Sequence, residues 1–122
     1  MSDIEAKKAL EEFLAAFNAQ DQEGAIAKLH FPFFWIINNR VIFVPEPSKF
    51  RVPSKELAES EGWHRSEFDF MEVVHASEEK VHIKLAYSRY KADGTRYATH
   101  QGLWIVIKKD GRWGLTCQSN FM

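Results

Sequence analysis

Histidines are the side chains of this sequence best suited to proton transfer near neutral pH, because the pKa of a free imidazole is roughly 6.5. The five histidines are His30, His64, His75, His82 and His100. His30 is the strongest candidate, because it stands where an apolar helical repeat ends and Phe31-Pro32 leads into the next element. We predict that it is a general base or a donor to a bound ligand. The alternative is a structural histidine that binds the last carbonyls of the helix.

Asp69 is the second candidate base, since a carboxylate in an apolar pocket acquires a shifted pKa. It faces a pocket only if Phe68 and Phe70 point away from that pocket. Hydrophobicity is equally compatible with the opposite register, which places the two phenylalanines inside. The sequence therefore proposes His30 and Asp69 as catalytic residues, with the direction of Asp69 left open.

Arg89 follows an alternating apolar strand, and the alternation places it on the apolar face. An arginine there pairs with a buried carboxylate or clamps an anionic ligand. Glu67, Asp69 and Glu72 on the neighbouring strand are the expected partners. If none of them pairs with Arg89, an anionic ligand is favoured.

Aromatic and polar side chains expected on inner faces form a candidate ligand-binding set. Its members are Trp35, Trp63, His64, Tyr87, Arg89, Tyr97, Gln101, Cys117 and Ser119. Aromatic rings at such spacing line a pocket for a flat ligand or fill the core. His64 points to the pocket or to water, and Cys117 is expected to be a small buried hydrophobic residue.

The spacing of histidines and cysteines does not predict a metal site, because the sequence has no His-x-x-x-His or Cys-x-x-Cys pair. We therefore predict no metal and no cofactor. The single cysteine cannot form an internal disulfide, which fits a reducing compartment. The acidic N-terminus lacks a secretory pattern and no apolar run approaches the roughly 20 residues that span a bilayer, so we predict a cytoplasmic protein.

The first part of the chain has helical periodicity, and later segments are rich in β-branched and aromatic residues. This order predicts helices followed mainly by strands. We predict helices over 2–18, from Asp21 to near His30, and over 54–60, with Gly62 ending the last of them. A hairpin over 33–44 turns at Asn38-Asn39-Arg40, and strands follow over 66–75, 80–91, 96–108 and from about 112. Asp93-Gly94 and Asp110-Gly111 favour tight hairpins with positive φ, so the second half is predicted as an antiparallel meander.

Period-two alternation predicts which side chains face inward. In the fourth strand these are Val81, Ile83, Leu85 and Tyr87. In the fifth and sixth strands the predicted inner sets are Tyr97, Thr99, Gln101, Leu103, Ile105 and Ile107, then Trp113, Leu115, Cys117, Ser119 and Phe121. The outer face then carries His82, His100 and an exposed Trp104. Because an exposed tryptophan is unfavourable, we predict that this face packs against a second copy of the chain.

Short motifs that resemble a known family are spread along the chain. They are His30-Phe31-Pro32, residues 62–66, Lys80-Val81-His82, residues 88–94 and residues 110–115. Together with the element order, they resemble the nuclear transport factor 2-like superfamily, which includes SnoaL-like polyketide cyclases, ketosteroid isomerases and scytalone dehydratases. The resemblance implies an α+β, cone-shaped, cystatin-like fold, in which a curved mixed or antiparallel sheet wraps on N-terminal helices. It also implies a deep pocket and a homodimer through the outer sheet face.

Length and charge bound the function. The chain has 122 residues, a hydrophobic fraction of 45% and a formal charge of -1, which fits a single domain over residues 1–122. Interspersed charges provide no patch for nucleic acid or a membrane surface. We predict a pocket for a small, partly apolar organic ligand, anionic if Arg89 is unpaired, with isomerisation, dehydration or cyclisation by proton transfer. The alternative is a noncatalytic, dimeric binding module.

Overall fold

The computed structural model describes residues 2–122. Its helices are α1 (Ser2–Asn18), α2 (Gln22–Ile26) and α3 (Ser54–Glu61), with a 3-10 turn at Pro47–Lys49. Its strands are β1 (Leu29–Ile37), β2 (Arg40–Val44), β3 (Trp63–Ala76), β4 (Lys80–Lys91), β5 (Arg96–Lys109) and β6 (Arg112–Phe121). The predicted α+β class is confirmed.

All six strands form one sheet in the order β2-β1-β6-β5-β4-β3. Neighbours are antiparallel except β1 and β6, which run parallel, so the sheet is mixed. The hairpin formed by β1 and β2 therefore pairs through β1 with β6, the last strand of the meander. Register shifts interrupt four of the five pairings, and such bulges bend and twist a sheet. Helix α1 packs on the sheet and buries Ala6, Ala9, Leu10 and Phe13 in the core.

Helix α2 is shorter than the sequence predicted. The carboxylate of Asp21 accepts a hydrogen bond from Gly24 N at 3.0 Å, so the predicted cap is confirmed. The prediction that the helix extends to near His30 is wrong, because the chain at Leu29 has already joined β6. The carbonyl of Lys28 accepts from Leu115 N at 2.9 Å, and pairing with the sheet replaces another helical turn.

The inner face of β4 is as predicted, with Val81, Ile83 and Leu85 fully buried. The predicted inner face of β5 is wrong beyond Tyr97, where a bulge exchanges the two faces. Trp104 and Val106 are 3% and 0% exposed, whereas Leu103 is 36% exposed on the outer face. Both alternating sets in this strand are apolar, so period-two hydrophobicity did not decide which set packs on α1.

The inner face of β6 changes sides within the strand. Leu115 pairs with Val106 and Cys117 with Ile105, so Thr116 is an extra residue in the ladder. Because one extra residue exchanges the two faces, Gln118 and Asn120 are buried on the inner side after the bulge. Cys117, Ser119 and Phe121 consequently lie on the outer side, contrary to the prediction.

No helix within residues 2–122 combines the length and apolarity needed to cross a membrane.

Candidate functional site

Two adjoining cavities share part of their lining. The inner cavity, of about 40 Å³, lies between α1 and the sheet and is lined mainly by aromatic rings such as Phe13, Phe17 and Phe33. The outer cleft, of about 610 Å³, lies between the first hairpin, α3 and the adjoining parts of β4 and β5. Trp35, Pro53 and Arg89 line both, and we call the place where the two cavities adjoin the neck.

A cluster of three polar side chains lines the mostly apolar cleft. Arg89 Nη1 on β4 lies 3.1 Å from Glu61 Oε1 at the end of α3. The Tyr97 hydroxyl on β5 donates to the same oxygen at 2.7 Å. The Arg89 side chain is 13% exposed and that of Glu61 is 38% exposed. Glu61 Oε2 makes no hydrogen bond within residues 2–122, so one carboxylate oxygen is free to accept a proton.

Burial and this cluster shift the acidities of neighbouring groups. Burial, together with the hydrogen bond to Glu61, raises the pKa of Tyr97 to about 12. Burial also raises the pKa of Tyr87. Burial and the Arg89 charge lower the pKa of His100. At neutral pH the two tyrosines are therefore hydrogen-bond donors and His100 is uncharged.

A buried polar row crosses the inner face beside the cavities. Trp104 Nε1 donates to Asn120 Oδ1 at 2.7 Å, and Asn120 Nδ2 donates to Gln118 Oε1 at 3.2 Å. Gln118 and Asn120 are 6% and 3% exposed. Sequence reasoning missed both, because the bulge at Thr116 reverses the faces and has no clear sequence signal.

Solved structures share this architecture. A protein of unknown function with a cystatin-like fold from Nostoc punctiforme PCC 73102 superposes with a TM-score of 0.80 at 10% identity, over 98% of this chain and 89% of that one. A nuclear transport factor 2-like protein of unknown function from Shewanella oneidensis MR-1 superposes with a TM-score of 0.73 at 13% identity, over 98% of each chain. The chain has the nuclear transport factor 2-like fold.

A third structure extends this group. A ketosteroid isomerase-like protein from Erwinia carotovora atroseptica SCRI1043 superposes with a TM-score of 0.67 at 17% identity, over 97% of this chain and 93% of that one. No protein-family model and no curated protein matches the sequence. At these identities the likeness establishes the fold and no activity.

The nuclear transport factor 2-like fold places His30 away from both cavities. It is 5% exposed, and its Nε2 lies 2.8 Å from the carbonyl of Arg112. Its Nδ1 lies 3.2 Å from Arg112 Nη2, so both ring nitrogens have partners. Arg112 Nη1 donates to the Ala27 carbonyl after α2, so an arginine rather than His30 binds the helix end.

Asp69 also lies apart from the cavities. It is exposed on β3, at a bulge between Phe68 and Phe70, and accepts a hydrogen bond from Ser88 Oγ at 2.7 Å. Phe68 points inward, with its ring 5.6 Å from that of Trp104. The structure therefore has the register in which Asp69 faces outward.

None of the three expected carboxylates pairs with Arg89, and two of them are engaged elsewhere. Glu67 pairs with Arg65 at 2.6 Å, and Asp69 binds Ser88. The partner is instead Glu61, which sequence reasoning did not consider because it lies 28 residues away on a helix. The only local signal was that Glu61 precedes the glycine that ends α3.

The remaining candidates divide between the cavities and other places. Trp35, Tyr87, Arg89 and Tyr97 line one or both cavities. Trp63 is buried and donates to Ser66 Oγ at 2.9 Å, while His64 is exposed. Gln101, Cys117 and Ser119 lie on the outer face, and burial there raises the pKa of the Cys117 thiol. Within residues 2–122 no group of three His, Cys, Asp or Glu side chains is placed to hold a metal ion.

Proposed function

We propose that this protein binds a small, partly apolar organic molecule in the outer cleft and transfers a proton to or from it. One observation carries the proposal: the hydrogen-bonded Glu61, Arg89 and Tyr97 converge in a cleft that is otherwise mostly apolar. An apolar cleft with a few convergent polar groups and shifted pKa values is the usual form of an active site.

The roles follow from the hydrogen bonds. Glu61 Oε1 is held by Arg89 and Tyr97, which leaves Oε2 to take a proton from a carbon acid or a hydroxyl. Arg89 is charged and its N–H groups polarise an oxygen of the ligand. This arrangement suits isomerisation, dehydration or cyclisation. The Erwinia protein described as ketosteroid isomerase-like has the same fold.

The ligand we propose is neutral. The prediction of an anionic ligand depended on an Arg89 without a carboxylate partner, and Glu61 is that partner. A second carboxylate beside Arg89 would lie close to Glu61 and would be repelled by it. A neutral oxygen acceptor avoids this cost.

The proposal can be tested by proton exchange without knowing the natural ligand. Cyclohexanone in D₂O exchanges its α-protons, and one-dimensional NMR follows the loss of their signal. We expect the protein to accelerate this exchange and Glu61→Gln to reduce the acceleration about 100-fold. Asp69→Asn is the matched control and should retain the wild-type rate. A wild-type rate equal to that of buffer, or loss of activity in Asp69→Asn alone, contradicts the proposal.

We also propose that the outer sheet face packs against a second copy of the chain. The supporting observation is a patch of apolar side chains on β2, β1, β6 and β5, which we call the outer patch: Phe34, Ile36, Val41, Phe43, Leu103, Ile105, Ile107 and Phe121. Leu103 and Phe43 are 36% and 56% exposed. Contiguous apolar patches of this kind are rare on monomers. The sequence analysis based the dimer on an exposed Trp104, but Trp104 is buried, so the proposal now depends on the outer patch.

Sedimentation equilibrium tests this assembly. We expect the wild-type protein to be a dimer and Leu103→Glu to weaken association about tenfold or more, because a charge in the patch loses its hydration. Ile4→Glu on α1 changes an apolar residue that is 63% exposed and lies outside the outer patch, so it should leave the dimer intact. A monomeric wild-type protein would exclude the dimer.

A further inference from the structure

The polar lining of the inner cavity is set by a chain of hydrogen bonds whose direction the chemistry determines. An indole nitrogen is a donor and never an acceptor, so Trp104 Nε1 must meet the oxygen of Asn120. The Asn120 amide nitrogen is then the atom next to Gln118, and it must meet the Gln118 oxygen. The Gln118 amide is thereby oriented with its nitrogen as the free end.

That nitrogen has no protein partner. Gln118 is 6% exposed and lines the inner cavity. Within residues 2–122 its side chain is hydrogen-bonded through Oε1, which accepts from Asn120, and Nε2 has no acceptor. An N–H group of a mostly buried side chain is unfavourable without an acceptor, and native proteins usually supply one from protein, water or ligand. Gln118 Nε2 therefore offers two N–H groups to whatever enters the cavity.

A second free donor belongs to the neighbouring strand. Trp35 is the register partner of Gln118 on β1, lines both cavities, and has a buried Nε1 without a partner within residues 2–122. Arg89 at the neck has an unpartnered Nε as well. The other polar lining groups are already engaged: Ser66 Oγ accepts from Trp63, and the Tyr87 hydroxyl contacts Met122 Sδ at 3.9 Å. The unpartnered nitrogens of this lining are therefore all donors.

We infer that the inner cavity is a subsite for a neutral carbonyl oxygen, which accepts hydrogen bonds from Gln118 and Trp35. The cavity of about 40 Å³ has room for about three water-sized positions, which fits a carbonyl group and one or two carbons. The rest of the ligand lies in the outer cleft. Because Glu61 balances the charge of Arg89, the neck favours an uncharged acceptor over a carboxylate.

This inference rests on the proposed function, since the ligand enters through the same cleft. It also deepens that proposal, because a ligand whose carbonyl oxygen lies in the inner cavity extends into the outer cleft, which Glu61 lines. Gln118 then stabilises negative charge on the oxygen when a proton leaves the carbon next to the carbonyl.

Two-dimensional ¹H–¹⁵N NMR provides a direct test. Of the four tryptophans, Trp63, Trp104 and Trp113 each donate their indole N–H to a protein acceptor, to Ser66, Asn120 and Glu5 respectively. Trp35 does not, and Trp104 lines the inner cavity, so the indole signals of Trp63 and Trp113 are the internal references. We expect cyclohexanone to shift the Trp35 indole and Gln118 amide signals and to leave the references nearly unchanged.

Substitution and ligand analogues make the test specific. Gln118→Glu keeps an oxygen for Asn120 and removes the free donor, and we expect cyclohexanone affinity to fall about tenfold or more. Gln101→Glu is the matched control, because it makes the same change on the exposed outer face. Methylenecyclohexane has the shape of the ketone without its oxygen and should bind more weakly, as should cyclohexanecarboxylate.

The outcomes separate this inference from the proposed function. Equal binding of ketone and alkene, tighter binding of the carboxylate, or an unchanged affinity in Gln118→Glu overturns the carbonyl subsite. Proton exchange without a shift at Trp35 or Gln118 overturns the subsite and leaves the proposed function standing. A shift without exchange supports the subsite and contradicts catalysis by Glu61.

Discussion

Replacing Trp104 with alanine is expected to lower the free energy of unfolding by about 3–5 kcal/mol. Trp104 is 3% exposed, and its ring packs against those of Phe13, Phe68 and Tyr87 at centroid distances of 6.4, 5.6 and 5.9 Å. Its removal leaves a cavity among these rings and an unpartnered Asn120 oxygen. Urea denaturation, with an unchanged dependence on denaturant, measures the loss.

Two further variants make this result diagnostic. Trp104→Phe keeps most of the ring and removes the hydrogen bond to Asn120, so we expect a loss of about 1–3 kcal/mol. Val74→Ala removes an apolar side chain that is 51% exposed and should change stability by less than about 0.5 kcal/mol. A Trp104→Ala protein as stable as Val74→Ala would mean that Trp104 faces solvent and that the described register of β5 is wrong.

Replacing Glu61 with glutamine is expected to lower the free energy of unfolding by about 1–2 kcal/mol. The reason is that the substitution leaves the Arg89 charge without a carboxylate partner, and the Arg89 side chain is only 13% exposed to water. Arg89→Met should cost less, because the Glu61 side chain is 38% exposed and water can solvate it. The double variant should recover part of the loss of Glu61→Gln. Additive losses in the double variant would show that the two residues do not interact.

Tyrosine titration gives the same substitution a second readout. The pKa of Tyr97 is raised from 10.0 to about 12, so the fold favours its protonated form. This contribution to stability is complete below pH 10 and is lost as the pH rises towards 12. In Glu61→Gln the carboxylate charge is gone, so the phenolate absorbance of Tyr97 should develop at lower pH than in the wild-type protein. Tyr97→Phe identifies its step in the titration curve.

Local turn chemistry was readable from the sequence. Asp110 and Gly111 have φ values of 55° and 72°, as the predicted type I′ turn requires. At Asp93-Gly94 only Gly94 has a positive φ, 89°, and Lys91 N donates to Thr95 O across a longer loop. The hairpin is present there with a different turn. Gly62, with a φ of 73°, ends α3 as predicted, because few residues other than glycine adopt this conformation readily.

The sequence was a poorer guide to which face of each strand points towards the core. In β4 one face is apolar and the other polar, and the prediction of Val81, Ile83 and Leu85 as inner residues is confirmed. In β5 both faces are apolar, which fits burial on one side by α1 and, as we propose, on the other by a second copy. When both faces of a strand are apolar, the pattern does not indicate which face is buried. Trp104 was therefore predicted to be exposed, whereas it is buried.

The amino-acid sequence by itself determined the order of the elements, most of their bounds and the α+β class, because helical periodicity, β-branched runs and turn residues act over a few neighbours. Only the tertiary structure decided which residues form the site. Bulges such as that at Thr116 exchange the faces of a strand and bring Gln118 inward. Pairing of strands distant in sequence then places Glu61 beside Arg89 and Tyr97, contacts that span 28 and 36 residues. Such contacts depend on how the strands are paired, because a shift of one residue in the pairing moves every side chain of a strand to the opposite face.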